Sequence, residues 1–318
     1  MKTRSENFQR MTSTFLILLL LFSVSCSDQG VETLMFKDYP GLQIGFTTQN
    51  FQRAMPNNNE SIKEMIEYAA SQGYQFIQLR DNHATLTTDE CTMLAEVAKN
   101  KKIDIIYEIH INPLDPGFNN VFEKGLSNTL LFPGPGILRT VISLSEFSTD
   151  SGRKGWSEQE LLQLTKISDS CALVARSKDV KFIVENFNEA FFGDGETFFG
   201  IADFFENTVY TGFQFDLSNP FTKSSRYRAE PQRVIDYLSE MGERWVTTHV
   251  KTIEVMGGSP MPVLTENPFS VEKVVELMGK QNVIYVSLEL AAVADKQECF
   301  ANHETSIQFL KDKGVLKK

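Results

Sequence analysis

The chain has 318 residues, of which 42% are hydrophobic and 23% charged, the composition of an ordinary globular protein with one large α/β domain or two small ones. Its formal net charge of −10 argues against a nucleic-acid partner, because binding a phosphate backbone requires a basic surface. Cys91, Cys171 and Cys299 are widely spaced and form no CxxC pair, which is typical of buried structural thiols and not of a zinc site or a disulfide framework.

The amino terminus has the layout of a secretory signal. Three basic residues precede an apolar run over residues 15–22, and small residues then lead to Cys26. The run is too short to span a bilayer, because a transmembrane helix needs about 20 apolar residues. A cysteine after small residues resembles the lipobox of bacterial lipoproteins, in which Cys26 would become the lipidated first residue. The alternative is an ordinary cleaved signal with an incidental cysteine.

These features divide the chain into three parts. Residues 1–25 are predicted to be a signal peptide, residues 26–40 a polar, lipidated tether, and residues 41–318 the folded domain. Either interpretation of Cys26 places the protein outside the cytoplasm. The lipoprotein interpretation attaches it to a membrane, in the periplasm or at the outer membrane, only through its lipid.

The folded part alternates between strand and helix patterns. Strands that are apolar on both faces are predicted at residues 42–47, 74–79, 103–111, 137–144, 180–187, 211–217, 244–250 and 283–290. Helices are predicted at residues 61–73, 91–100, 157–177, 200–206, 231–242, 271–278 and 298–313, with capping boxes at Ser61–Glu64, Thr87–Glu90 and Ser157–Glu160. The stretch 113–136 is rich in Pro, Gly and Asn, which predicts a long loop with at most one weak helix over 121–131.

This order favours a single-domain (β/α)8 TIM barrel over an open doubly wound sheet. Eight alternations fit the barrel, and each predicted strand is apolar enough to be covered on both sides. No GxGxxG follows the first strand and no GxxxxGK[ST] occurs, so the phosphate-binding loops of nucleotide-binding folds are absent from the sequence.

Four neighbouring strands, the fifth to the eighth, end in an ionisable residue. These residues are Glu185, Asp216, His249 and Glu289, each on a largely apolar strand. Because the carboxyl ends of barrel strands meet at one rim, the pattern brings three carboxylates and one imidazole together. Such a set of oxygen and nitrogen donors suits one divalent metal ion, Mn²⁺, Mg²⁺, Co²⁺ or Zn²⁺, and a cation would relieve the repulsion between the carboxylates.

From residue 42 to residue 314 the chain resembles the xylose-isomerase-like barrels grouped as sugar phosphate isomerases and epimerases. The most specific piece is the Val-Glu-Asn of the fifth strand, which contains Glu185. The resemblance implies that the four strand-end residues hold one divalent metal, and that Glu185 and Glu289 also face the substrate carbon whose proton moves. It further implies a substrate contact from Lys251, because His249-Val250-Lys251 is similar to the His-x-Lys of that family.

Four other residues are candidate substrate contacts. Glu108, His110 and Asn112 share one face at the end of the third strand and are predicted to bind sugar hydroxyls, the alternative being a hydrogen-bonded structural cluster. Asn219 stands three residues after the strand-six aspartate, where epimerases of this group often have a histidine.

The site predicts a metal-dependent sugar isomerase or epimerase that acts by proton transfer through an enediolate. One glutamate would remove the proton and the other would return it. Two alternatives are a lyase or hydrolase that acts on a keto-sugar with the same metal site, and a non-catalytic, lipid-anchored carbohydrate-binding barrel. Each of the three has a small-molecule carbohydrate as its partner.

Cys26→Ser tests the predicted anchor. The variant should leave the membrane fraction, because acyl chains on Cys26 would be the protein's attachment to the bilayer. Cell fractionation followed by immunoblotting measures the change, and Cys299→Ser is the control that should stay with the membranes. Unchanged membrane partitioning of Cys26→Ser would contradict the lipoprotein interpretation.

Overall fold

Eight parallel strands pair in sequence order and close into a barrel in a computed structural model that describes residues 31–144, 153–187, 189–222, 230–255, 257–266 and 270–318. The strands are β1 Gln43–Thr47, β2 Phe76–Arg80, β3 Asp104–Glu108, β4 Ile137–Ile142, β5 Lys181–Asn186, β6 Gly212–Asp216, β7 Trp245–Val250 and β8 Tyr285–Leu288. β1 also pairs with β8 in parallel, which closes the ring. The predicted single-domain (β/α)8 TIM barrel is therefore confirmed.

Helices alternate with the strands. Within the described ranges they are α1 Asn59–Ser71, α2 Thr88–Lys101, α3 Phe118–Thr129, α4 Glu158–Arg176, α5 Ile201–Glu206, α6 Pro231–Glu240, α7 Val271–Gln281 and α8 Lys296–Asp312. None of the helices in this part of the chain is long and apolar enough to cross a bilayer.

Two of the three predicted capping boxes are confirmed. Thr87 and Ser157 each accept a hydrogen bond from the backbone three residues on, and the glutamate there returns one. The box at Ser61 is wrong, because α1 starts earlier and is capped by Asn58, whose side chain accepts from the Ser61 N–H at 3.0 Å. An asparagine is as good a helix cap as a serine, so the preceding asparagine-rich loop provides the start.

The predicted loop over residues 113–136 contains a helix, but α3 is a regular helix of 12 residues that starts three residues before the predicted weak helix over 121–131. Phe118, Phe122 and Leu126 lie one turn apart and are buried on one face. Gly125 lets this helix approach the barrel, since a Cβ there would lie 2.4 Å from Ile109 Cγ2. Burial of this face stabilises the helix against the low intrinsic helix propensity of the segment.

The folded domain begins earlier than residue 41. Its compact unit runs from Thr33 to Lys318. The Leu34 N–H donates to the Gly73 carbonyl at 2.9 Å, and Phe36 is buried and forms an antiparallel bridge with Leu316. The end of the predicted tether is therefore part of the folded domain and packs outside the barrel strands. The predicted signal peptide and Cys26 lie outside the described residues and stay predictions.

The barrel interior is divided into an apolar and a polar part. Its lower end is filled by an apolar cluster composed of Phe76, Ile106, Ile137, Ile183 and Val246, with Tyr285 packed against it. Two residues further along the strands, inward positions become polar at Gln78, Glu108, Arg139 and Glu185. The apolar cluster closes the bottom of the barrel and leaves the carboxyl ends of the strands for the functional site.

Candidate metal centre

The structure brings all four predicted metal ligands together. Glu185 and His249 are the penultimate residues of β5 and β7, Asp216 ends β6, and Glu289 directly follows β8. One ligand atom from each residue lies within 4.8 Å of the others. Each strand thus contributes one inward side chain to the same rim, as expected for neighbouring parallel strands.

Asn186, next to Glu185 in the chain, joins β5 to β6 by side-chain hydrogen bonds. Its side chain accepts from the Asp216 N–H at 2.8 Å and donates to the Asp216 carbonyl at 3.3 Å. Asp216 Oδ1 in turn accepts the backbone N–H groups of Ser218 and Asn219 at 2.8 and 2.7 Å. These bonds orient the Asp216 carboxylate so that its second oxygen faces the cluster.

His249 Nδ1 lies at the centre of the three carboxylates. It is 2.5 Å from Glu289 Oε2, 2.8 Å from Glu185 Oε1 and 3.7 Å from Asp216 Oδ2. Burial alone would lower the pKa of His249, but Glu289 and Asp216 outweigh burial and raise it above its usual value. The cluster therefore strongly favours a positive charge at its centre, either a proton on Nδ1 or a metal ion.

The donor set fits a divalent metal ion. Three carboxylates and one imidazole are ligands that Mg²⁺, Mn²⁺, Co²⁺ and Zn²⁺ accept. Glu185 Oε1 is buried, and its near neighbour His249 Nδ1, at 2.8 Å, can donate to it only when that nitrogen carries a proton; a cation in place of the proton would stabilise the carboxylate in the same way. These residues could hold one metal ion.

Lys251 is buried beside two of these carboxylates. Its ammonium lies 2.7 Å from Asp216 Oδ2 and 3.1 Å from Glu289 Oε1, and it donates to Asn219 Oδ1 at 2.9 Å. Burial alone would raise the pKa of Glu289, but Lys251 and His249 hold it well below its usual range. The expected substrate contacts Lys251 and Asn219 thus lie at the cluster and contact each other.

Arg139, in the middle of β4, is a buried part of the site that the sequence analysis missed. Its guanidinium forms close ion pairs with Glu108 on one side and with Glu185 on the other. Arg139 is 2% exposed and Glu108 fully buried, so the pair lies inside the barrel below the rim. The signal in the sequence was a single arginine inside the apolar run Ile-Leu-Arg-Thr-Val-Ile.

The three candidates after β3 have different surroundings. Glu108 is closed off from solvent, and His110 Nδ1 lies 3.1 Å from its Oε1 while the His110 side chain keeps 24% of its surface exposed. The Asn112 side chain donates to the Ser143 carbonyl and accepts from the Leu114 N–H, so it holds the loop together. Of the three, His110 is the residue that can reach a ligand at the rim.

A cavity of about 250 Å³ opens next to the cluster. Lys251 and Glu289 form part of its wall, and the remaining wall includes Gln49, Gln52, Arg53 and Pro260. Glu289 keeps 12% of its side chain exposed, against 3% for Glu185. A larger cavity of about 470 Å³ lies at the start of β5, beside Lys181, and touches none of the four ligands. Of these two cavities, the smaller one gives access to the site.

No protein-family model and no curated protein sequence matches this chain. Several solved structures share its fold. A D-allulose 3-epimerase from Methylomonas sp. in complex with D-allulose has a TM-score of 0.63 at 11% identity, over 89% of this chain and 99% of that one. A xylose isomerase-like TIM barrel protein from Mycobacterium smegmatis in complex with magnesium has a TM-score of 0.63 at 13% identity, over 85% and 97%.

The fold is shared with another kind of enzyme as well. An AP endonuclease of family 2 from Brucella melitensis has a TM-score of 0.58 at 9% identity, over 82% of this chain and 96% of that one. At such identities the likeness shows the fold alone. The structures that share this fold include a sugar epimerase, a xylose isomerase-like TIM barrel and an endonuclease, so the reaction has to be argued from the site.

Glu108→Gln tests the buried ion pair. Burial would raise the pKa of Glu108, but Arg139 and Arg80 hold it well below its usual range. Its ionised form therefore stabilises the fold above the unfolded pKa of about 4.3, and this contribution is lost as the pH falls through the folded pKa. At pH 7 the variant should lose about 3–5 kcal/mol of unfolding free energy, because a buried arginine loses a partner.

Urea denaturation between pH 7 and pH 3, with a chelator present, measures this loss. The difference from the wild type should shrink as the pH falls below about 4. Glu123→Gln, at an exposed position of α3, is the control and should change little at any pH. An equal deficit of Glu108→Gln at pH 7 and pH 3 would contradict an ionised Glu108.

Proposed function

We propose that the protein is a metal-dependent sugar isomerase or epimerase that moves a proton through an enediolate intermediate. The observation that carries this proposal is the meeting of three carboxylates and one imidazole beside a cavity at the carboxyl ends of the strands. The bound D-allulose and magnesium of two structural neighbours support a sugar substrate and a divalent metal here. The acidic net charge argues against the nucleic-acid chemistry of a third neighbour.

The metal ligands in this proposal are Glu185, Asp216, His249 and Glu289, and the ion is Mn²⁺, Mg²⁺, Co²⁺ or Zn²⁺. A bound divalent ion would polarise the substrate carbonyl and stabilise the negative oxygen of the enediolate. The protein holds the ligands rigidly on strand ends and excludes water from three of them.

Two glutamates are proposed to handle the proton. Glu289 faces the cavity and is ionised, because Lys251 and His249 hold its pKa well below its usual range. A substrate oxygen that takes over the contact with Lys251 would restore part of its basicity and let it accept a proton from the substrate carbon. Glu185 lies deeper and is proposed to act on the other side of the same carbon or on its neighbour. Lys251 donates from the cavity wall and is positioned to bind a substrate oxygen, with Asn219 holding it in place.

The cavity indicates a small substrate. Its volume of about 250 Å³ is below the 300–1,000 Å³ typical of drug-sized ligands. We therefore propose a single monosaccharide as the substrate. His110, at the rim beside Phe187, is the proposed contact for a sugar hydroxyl, while Glu108 and Asn112 support the site from within the structure.

A second candidate function is a carbohydrate-binding barrel without turnover. The ion pair between Arg139 and Glu185 favours it, because a buried guanidinium stabilises the ionised form of Glu185 and weakens it as a base. Asn219, which cannot take part in acid–base chemistry as a histidine can, points the same way. A lyase or hydrolase on a keto-sugar has no observation of its own in its favour. For each function, attachment to the membrane through a lipid on Cys26 is part of the proposal.

The proposed metal can be counted directly. Protein dialysed against Mn²⁺ should retain one ion per chain by elemental analysis, and His249→Ala should retain none, because three carboxylates without the imidazole lose the central donor. His83→Ala changes an exposed histidine and is the matched control that should bind as the wild type does. A wild-type protein that retains no stoichiometric metal after dialysis against Mn²⁺, or after separate dialyses against Co²⁺ and Zn²⁺, would contradict the metal site.

Glu289→Gln separates catalysis from binding. The substitution keeps the size and one ligand oxygen but removes the basic carboxylate, so proton exchange should fall by about 10²- to 10⁴-fold with the metal still bound at saturation. Glu185→Gln should behave likewise. The measurement is deuterium exchange into a panel of unphosphorylated sugars in D₂O by NMR, with metal occupancy checked in each variant. Wild-type exchange rates in both variants would remove these glutamates from the mechanism, and no exchange by the wild type would favour the binding barrel.

A further inference from the structure

The second ring nitrogen of His249 has a defined partner inside the barrel. His249 Nε2 lies 2.7 Å from Gln78 Oε1, and both side chains are buried. Gln78 Nε2 lies 3.3 Å from Glu108 Oε2. Because a carboxylate oxygen only accepts hydrogen bonds, this contact fixes the orientation of the Gln78 amide, with its nitrogen toward Glu108 and its oxygen toward His249. The imidazole nitrogen that faces Gln78 must then be the donor.

Gln214 also contacts the ring but does not select a nitrogen. Its Nε2 lies 3.0 Å from His249 Nε2 and 3.3 Å from Nδ1. The in-plane axes of the two ring nitrogens point away from each other, so one atom at nearly equal distances from both is in line with neither. Gln78 is therefore the described residue that determines where the ring proton lies.

In the neutral ring, a proton on Nε2 leaves a lone pair on Nδ1 for a metal ion. That lone pair faces Glu185, Asp216 and Glu289, whose nearest oxygens lie 2.5–3.7 Å away. Histidines that bind metals commonly donate their other N–H to an oxygen acceptor, which sets the ring orientation and the ligand nitrogen. Arg139 contacts Glu108, and Glu108 contacts Gln78, so these three residues form a chain of contacts that ends at the His249 ring.

We propose that Gln78 is a positioning residue that makes Nδ1 of His249 the metal-binding nitrogen. This inference rests on the proposed metal site and adds to it a side chain that touches neither metal nor substrate. Glu108 orients the Gln78 amide, and Arg139 holds Glu108. The ion pairs in the middle of the barrel thereby act on the rim through one hydrogen bond, from His249 Nε2 to Gln78 Oε1.

NMR of ¹⁵N-histidine-labelled, Zn²⁺-loaded protein reads the ring state directly. The chain has four histidines, so the spectrum is simple, and the signals missing in His249→Ala identify His249. The wild type should show a proton on Nε2 and a metal-bound Nδ1. A proton on Nδ1 with the metal on Nε2 would overturn the proposal without any variant having to fold.

Gln78→Met and Gln214→Met form a matched pair for Zn²⁺ affinity, measured by chelator competition. Gln78→Met should weaken binding by about 10- to 100-fold, the usual effect of losing a partner of a metal ligand, and should lose the fixed Nε2 proton. Gln214→Met should stay within about threefold of the wild type, since its contact is out of line. Circular dichroism confirms that both variants fold.

Three other outcomes would overturn the role of Gln78. They are an unchanged affinity and ring state in Gln78→Met, an equal loss of affinity in both variants, and a wild type that binds no Zn²⁺. The last outcome also ends the proposed metal site itself if the wild type retains neither Mn²⁺ nor Co²⁺. The first two leave that site intact and remove only Gln78 from it.

Discussion

The balance of buried charge is the constraint on which this barrel depends. Four carboxylates, Glu108, Glu185, Asp216 and Glu289, are in contact with three cations, Arg80, Arg139 and Lys251. With a neutral His249 the total is −1, and a proton on His249 brings it to zero. With a divalent cation in place of that proton, the total becomes +1, which a singly negative substrate intermediate would neutralise. The same side chains thus suit both a resting protein and a metal-dependent carbon acid chemistry.

The cations also make the two proposed bases unequal. Arg139 approaches Glu185 from inside the barrel, whereas Lys251 approaches Glu289 from the cavity wall. A ligand that enters the cavity can exchange contacts with Lys251 and so change the surroundings of Glu289. Arg139 is buried and has no such freedom. This asymmetry favours Glu289 as the base that responds to substrate, and Glu185 as the more firmly held ligand.

The four strand-end residues of the rim could be predicted from the sequence, because their positions follow from the two-residue period of a strand and from the alternation of strands and helices. A strand that ends in an ionisable residue places that residue at the carboxyl face, and eight alternations place neighbouring strands side by side. The layer below could not be predicted in the same way. Gln78 and Arg139 lie in the middle of their strands. Because barrel strands are apolar on both faces, the sequence pattern does not show whether these two side chains point into the barrel or out of it. Helix α3 was predicted only as a weak helix because tertiary burial, and not local propensity, stabilises it.

The rim contains a buried lysine and an asparagine, Lys251 and Asn219, in addition to the four proposed metal ligands. The buried Lys251 ammonium is stable only while the anions Asp216 and Glu289 stay near it. Its third hydrogen bond goes to Asn219 Oδ1. An asparagine at that place accepts a hydrogen bond from Lys251 and donates one to the Asn186 carbonyl, which joins β5, β6 and β7 at the point where their ligands project. A histidine there would be free to take part in acid–base chemistry, whereas the asparagine offers only neutral hydrogen bonds. In the proposed reaction, the proton transfer would therefore fall to the two glutamates, and Lys251 with Asn219 would set the geometry in which they act.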